Sequence, residues 1–500
     1  MGDGKSRLEV EVDTPLHTAA PPGPGAWTNE AIAIVPFSVI DQAVHLLDVP
    51  TAPWSIQLEV KVAGELDSTR LRAAVFEALQ RHDMARVRKL PSRLTAPLDR
   101  WAVTASPETD PLRVVFCPHD EALRAARLAL QDRSVPLTES PPLRAILARH
   151  PGGDTLMLNV SHAAMDGFGS LRVLRSIARV YAGEADPLFE IDLEQARDLA
   201  TELQTPSLSV LLGRQLVLAA RLRDVVAPPA RVARDGASDQ PGYGFVHRSL
   251  SRAETHALIS ATGRSTRLGP GSSARSAASG RIARSTGRRL TATPAHPTVN
   301  DLLVTALHLT IGDWDTAHGV ACRRIGVLVP ANLRPAAWRE EVVGNYSLPA
   351  RISTTRRSRR SPADALAAVA RQTAHKKRYG FGTAFLDLLC RSRVLPLWAK
   401  RVVILGLPLT GNRLVDTAML SNVGRLDDLS FGAAAVEELW FSPPARMPLG
   451  LAIGTATMNG RLFLSLRYRH RQFDGAAANR FADLYLERLQ ALCGPGVLEA

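Results

Sequence analysis

One pattern occurs twice in this chain of 500 residues: an apolar strand running into a His, three intervening residues, an Asp-Gly pair and a helix. In the first half, LMLNVSHAAMDG (156–167) carries His162, Asp166 and Gly167. DGFGSLRVLRSIARVYAG then puts Leu171, Leu174, Ile177, Ala178 and Tyr181 on one helical face. In the second half, LFLSLRYRHRQFDG (462–475) carries His470, Asp474 and Gly475 and leads into the helical text AANRFADLYLERLQAL. With the two Asp-Gly pairs superposed, His162 falls on His470. A chain this long exceeds one core, and a repeated strand–turn–helix unit implies two α/β lobes.

The remaining patterning fills those lobes. IQLEVKV (56–62) alternates like a half-buried strand. In the next segment Asp67 or Ser68 can cap a helix whose apolar face is Leu71, Ala74, Val75, Ala78 and Leu79. ARVRKL, DRWAV, PPLRAILARH and DTLMLNVSH read as strands, with a helix over 120–131. Later come strand YGFVHRSLS, helices RAETHALISAT, TVNDLLVTALHLTIGDW and PADALAAVARQTAHKK, and strands in RRIGVLVPANLR and NYSLPARIS. LGLAIGTATMNGRLFLSLRYRH is a hairpin with a Met-Asn-Gly turn. The expected divisions are a disordered tail over 1–34, an N-lobe over 35–190, a connecting region over 191–297 and a C-lobe over 298–500. The connecting region includes a disordered Arg/Ser/Gly-rich insertion at 264–295.

The formal charge of +13 admits nucleic acid, anionic lipid or an acidic protein as partner. The Arg residues, however, cluster at 264–289 and 354–361 without interleaved aromatics, and aromatics are only 5% of the chain, so solvated basic loops rather than a nucleic-acid interface are expected. Residues 190–230 look helical and strongly apolar, either a buried connecting helix or one resting peripherally on a membrane. The four cysteines (Cys117, Cys322, Cys390, Cys493) form no C-x-x-C pair, which fits a reducing compartment without disulfides or zinc. No signal-peptide core or span-length apolar run is visible; VVILGLPL (402–409) has only strand length. A cytoplasmic monomer is the expectation.

The first copy of the repeated unit is the chemically interesting one. A strand delivers His162 to its carboxyl end, Gly167 and Gly169 permit a sharp turn, and Ala163 and Ala164 leave room above the imidazole. Such strand–helix junctions are where open α/β sheets place ligands. A neutral imidazole there can take a proton from a hydroxyl or amine, an effect on the order of a hundred- to ten-thousand-fold in rate. Asp166, four positions on, points away from the ring and is better suited to fix the loop by pairing with an Arg. His162 and Asp166 lack a third ligand, so no metal is expected. No G-x-S-x-G supports a serine hydrolase, and the GFG at 167–169 is not a dinucleotide fingerprint.

SHAAMDG resembles the HHxxxDG signature of the CoA-dependent acyltransferase superfamily: chloramphenicol acetyltransferase, peptide-synthetase condensation domains, polyketide-associated acyltransferases, and wax ester synthases/diacylglycerol acyltransferases. FSVIDQAVHLLD resembles the opening of that family, and LQRHDMARVR its R-H-x-x-L/M-R helix end. TVNDLLVTAL, VLVPANLRP with Gly344-Asn345, and SNVGRL (421–426) resemble successive C-lobe motifs of its ester-forming branches. The DFGWG motif of the plant branch is missing.

The resemblance implies two chloramphenicol-acetyltransferase-like lobes, each a mixed β-sheet with flanking helices, and an active-site channel between them with His162 at its middle. His162 matches the second motif His, the family's general base, while Ser161 stands where the first His is usual. Asp166 takes the structural, Arg-paired role and Gly167 gives backbone clearance. His470 is a structural echo, since Arg471, Gln472 and Phe473 replace small residues. Ser421, Asn422 and backbone N–H groups near Gly167 are candidates to meet charge on the thioester oxygen, although Asn422-Val423-Gly424 also reads as a turn. The implied reaction moves an acyl group from CoA or an acyl carrier protein to an alcohol, with no permanently bound cofactor. The alternatives are an amide-forming free-standing condensation enzyme and a non-catalytic homologue that docks carrier proteins.

Overall fold

The computed structural model describes residues 30–198, 227–262, 297–338, 341–378, 383–406, 413, 415–426 and 429–494, together with 212, 215 and 216. Three sheets organise these residues. The first has the order β12 (Val436–Ser442), β2 (Ser55–Val62), β7 (Thr155–Ser161), β6 (Leu143–Arg149) and β5 (Leu112–Phe116). The second has the order β10 (Ser347–Thr355), β9 (Arg324–Asn332), β11 (Ala418–Arg425), β13 (Leu451–Met458), β14 (Arg461–Arg469) and β8 (Tyr243–Leu250). A small third sheet runs β1 (Ala31–Pro36), β4 (Arg100–Thr104), β3 (Val87–Leu90).

The helices follow local signals. Asp67 caps α2 (Ser68–Arg81), accepting the N–H groups of Thr69 and Arg70, and Leu71, Ala74, Val75, Ala78 and Leu79 are all buried. Thr298 and Asp301 close a capping box on α6 (Val299–Ala317). The β13–β14 hairpin turns through Asn459 and Gly460 at φ of 51° and 73°, the left-handed pair a two-residue turn demands. The repeated unit is realised twice. Asp166 caps α4 (Gly167–Ala182) after β7, and Asp474 caps α10 (Gly475–Leu492) after β14, each through its carboxylate and the N–H three residues on. The other helices are α1 (Val39–Leu47), α3 (Asp120–Gln131), α5 (Arg252–Ser260), α7 (Pro362–Arg378), α8 (Thr383–Arg391) and α9 (Leu397–Gly406).

Several elements differ from the sequence expectations. Strand β1 begins at Ala31, inside the span read as a disordered tail. Most of the helical text at 190–230 and the whole insertion at 264–295 lie outside the described residues. The apolar run at 402–409 enters helix α9 rather than a strand, following Pro396, and 407–409 lie outside the described residues. Strand β12, from the C-terminal half, pairs antiparallel with β2 and so joins the N-lobe sheet, while β8 and α5 of the connecting region belong to the C-lobe. Both faces of β2 are buried, not one. Its apolar face (Ile56, Leu58, Val60) joins Leu156, Leu158 and Val160 of β7 in the main core. The opposite face, carrying Ser55, Gln57, Glu59, Asn159 and Ser161, is also buried. Helix α3 covers it through Arg127 to Glu59 and through the Asn159 amide to the Leu130 carbonyl, and Arg467 of β14 reaches the Ser55 carbonyl.

Candidate active site

His162 follows the last residue of β7, and its main chain is fixed from both lobes. Its N–H donates to the Trp54 carbonyl at 3.2 Å, and its carbonyl accepts from the Asn345 amide at 2.8 Å. The residue is half-buried; its Nδ1 is enclosed and has no hydrogen-bond partner among the described residues. Burial pushes the imidazole pKa below 6.5, partly offset by Asp166, by the residue's own main-chain carbonyl and by Asp41. That direction favours the neutral ring, the form a proton acceptor needs.

Asp166 does not touch the ring. Its carboxylate takes both terminal nitrogens of Arg334, at 2.7 and 2.9 Å, the Gly169 N–H at 3.0 Å and the Tyr346 N–H at 2.8 Å. Burial alone would raise this carboxyl; the Arg334 guanidinium and the two N–H donors more than offset it and hold the group below the usual carboxylate range. Arg334 also donates to the carbonyls of Val342 and Gly344 and lies over the Tyr346 ring at 4.5 Å. The segment from Arg334 to Tyr346 thus clamps the N-lobe motif from the C-lobe side. Gly167 allows close approach: a Cβ there would lie 3.1 Å from the Phe441 ring and 3.5 Å from Val423.

Ser161 Oγ is buried with no hydrogen-bond partner among the described residues, and Ser161 sits opposite Ser55 in the β2–β7 pairing. Ser421 and Asn422 lie in β11, paired with Gly454 and Thr455 of β13, rather than in a turn. A register shift follows Asn422, whose side-chain oxygen accepts the Gly424 N–H. Val423 reaches the Gly167 contact, so β11 passes close to the motif, but neither Ser421 nor Asn422 hydrogen-bonds to His162 or Ser161 among the described residues. His470 is half-buried, and its local partner Asp474 makes no Arg pair like that of Asp166 among the described residues. The second copy repeats the turn without repeating the clamp.

In the sequence, Arg334, Gly344 and Asn345 stand out only as parts of motifs. Ser161 was singled out there, but not the buried row it shares with Ser55, Gln57, Ser465, Arg467 and Arg469, and all six have side-chain polar atoms lacking a partner among the described residues. The signal was present as a period of two in β14, where Ser465, Arg467 and Arg469 alternate with Leu464, Leu466 and Tyr468. A cavity of about 690 Å³ opens elsewhere, between Arg81–Met84, Leu188–Ala196 and Trp338–Val343, and His162 does not line it. Among the described residues no three His, Cys, Asp or Glu side chains gather as metal ligands, and no helix is long and apolar enough to cross a membrane.

No family model matches the chain. The uncharacterized protein Rv2305 of Mycobacterium tuberculosis is 34% identical over 458 residues, covering 91% of this chain and 98% of the relative. A probable non-canonical nonribosomal peptide synthetase of Salinispora arenicola, CymA, is 29% identical over 181 residues, or 35% of this chain and 2% of that protein. Among solved structures, the first condensation domain of the calcium-dependent antibiotic synthetase in complex with a substrate analogue superposes with a TM-score of 0.65 at 15% identity, covering 92% of this chain and 97% of its own. A doubly mutated starter condensation domain of rhizomide synthetase, in complex with C8-CoA and Leu-SNAC, gives 0.62 at 14% identity, covering 92% and 94%. These likenesses fix a two-lobed condensation-domain architecture.

Proposed function

Because the chain belongs to the family of the Mycobacterium tuberculosis relative and has the condensation-domain fold of the CoA-dependent acyltransferase superfamily, we propose that it is an acyltransferase using His162 as general base. The observation that carries this reading is the placement of His162 at the end of β7, its main chain held by Trp54 of one lobe and Asn345 of the other, with Asp166 turned away onto Arg334. Burial also pushes the imidazole pKa below its ordinary value.

The substrate is an acyl thioester, on CoA or on the pantetheine arm of a carrier protein, and the preferred acceptor is an alcohol. The His162 ring takes the hydroxyl proton as the oxygen attacks the thioester carbonyl. The C–S bond of the adduct then breaks, and the imidazolium returns its proton to the departing sulfur, giving ester and free thiol. The Ser421 hydroxyl and the Asn422 side-chain amide are the proposed donors to the carbonyl oxygen as charge builds on it. Asp166 and Arg334 position the loop and take no part in proton transfer. No bound cofactor enters the sequence of steps, and the reading places the enzyme in the cytoplasm.

Amide formation is the second reading, favoured by the condensation domains among the structural neighbours, one of which was solved with C8-CoA and Leu-SNAC. The experiment is a product analysis by mass spectrometry after incubating the full chain with acyl-CoA and acyl-pantetheine donors and matched alcohol and amine acceptors. Ester products support the first reading. Amides alone select the second, and no product with any pairing overturns both.

A further inference from the structure

The polar row behind His162 contains two charges that make no ion pair among the described residues. Arg467 and Arg469 project from β14 at a spacing of two, so they share one face. They are 0% and 5% exposed. Arg467 donates Nη1 to the Ser55 carbonyl at 2.9 Å, and Arg469 donates Nη2 to the Thr51 carbonyl at 3.0 Å. The remaining atoms, Nε and Nη2 of Arg467 and Nε and Nη1 of Arg469, are buried without a partner among the described residues. Both guanidiniums lie against the same ring, Tyr243, at 4.0 and 4.3 Å from its centroid. Asp132, at the end of α3, is the carboxylate that faces them, yet it forms no ion pair with either among the described residues; it accepts the Tyr243 N–H and stands toward solvent.

Two buried cations side by side are costly unless something negative joins them, and carbonyl hydrogen bonds do not supply that charge. An Arg fork with free Nε and Nη edges suits an oxyanion of carboxylate or phosphate geometry. Their position narrows the choice. Ser55 directly follows Trp54, whose carbonyl takes the His162 N–H, and pairs across the strands with Ser161. An anion held there sits beside the reacting centre, whereas the phosphates of CoA or of a carrier arm lie at the far end of the pantetheine from the thioester.

We propose that Arg467 and Arg469 form a buried anion subsite next to His162 that takes a carboxylate on the acyl acceptor, so that the acceptor is a hydroxy or amino acid or a chain ending in one. This rests on the acyltransferase reading for the word acceptor, but not for the binding itself. The hydroxyls of Ser55, Ser161 and Ser465 and the Gln57 amide on the same buried row, all lacking partners among the described residues, offer the acceptor's polar groups further contacts.

The test is calorimetric titration of the full chain, as His162→Ala, with phenyllactate, its methyl ester and inorganic phosphate, compared with the same protein carrying Arg467→Gln, Arg467→Lys or Arg469→Gln. Phenyllactate should bind, its methyl ester should bind about 10- to 100-fold more weakly, and each Gln replacement should weaken phenyllactate by a similar factor. Arg467→Lys keeps the charge and should lose less than Arg467→Gln, which separates lost charge from a collapsed site. Equal affinity for acid and ester, or phenyllactate binding unchanged in both Gln variants, overturns the subsite. Binding of phosphate with no binding of phenyllactate overturns the carboxylate assignment. Because the titration lacks the His162 imidazole, a failure of the base assignment shows only in turnover and a failure of the subsite only in binding.

Discussion

The Arg334 guanidinium grips Asp166 through two parallel hydrogen bonds, Nη1 to Oδ2 at 2.7 Å and Nη2 to Oδ1 at 2.9 Å, with both side chains buried. The pair ties the turn after β7 to the loop after β9, and therefore ties one lobe to the other at the height of His162. Breaking it from one side leaves a charge stranded in a dry site.

Asp166→Ala should accordingly lower the free energy of unfolding by about 3–5 kcal/mol, read from urea denaturation. An Asp166→Leu/Arg334→Met double variant removes both desolvated charges and should recover part of that loss. A double variant as unstable as the sum of the singles would mean the pair is not coupled in this way.

Activity should persist on the acid side. Only neutral imidazole accepts the proton, and burial moves the His162 pKa below 6.5, so the acid limb of kcat/KM should have its midpoint below that value. A midpoint at or above 6.5 in the pH–rate profile would contradict the burial seen at this ring.

Stability should fall with acidity for a separate reason. Burial holds His82, His247 and His308 down to about 3, while the unfolded chain protonates them near 6.5. Their contribution is complete above pH 6.5 and is lost as pH falls toward 3, by up to about 1.4 kcal/mol per pH unit for each ring. Urea midpoints measured stepwise from neutral pH down toward about pH 4 follow this loss, and His308→Asn should flatten the slope by one proton's worth.

Gly167→Ala should cost about 1–3 kcal/mol, because the new methyl would meet the buried Phe441 ring at 3.1 Å. Thermal unfolding checks it. A neutral result would show that Phe441 gives way and that Gly167 is not required for clearance.

Much of the fold was legible where local chemistry decides. The apolar face and Asp67 cap of α2, the Asn459-Gly460 turn and the repeated Asp cap after β7 and β14 each follow from a few adjacent residues. The clamp was only half legible: an Arg partner for Asp166 could be expected, but its choice depends on residues 168 apart in sequence. The crossing of β12 onto β2 was not legible, since an edge strand's destination is set by tertiary packing rather than by its own alternation. The burial of Arg467 and Arg469 was not legible either: charge at every second position ordinarily marks a solvent face, and here that face is turned into the seam between lobes.

The most direct measurement is single-turnover release of free thiol from acyl-CoA with acceptor present, for the intact chain and for His162→Ala. The imidazole acting as base requires a fall of about a hundred- to ten-thousand-fold in the variant, with folding confirmed by circular dichroism. Thiol released at the same rate by both proteins would remove His162 from the chemistry.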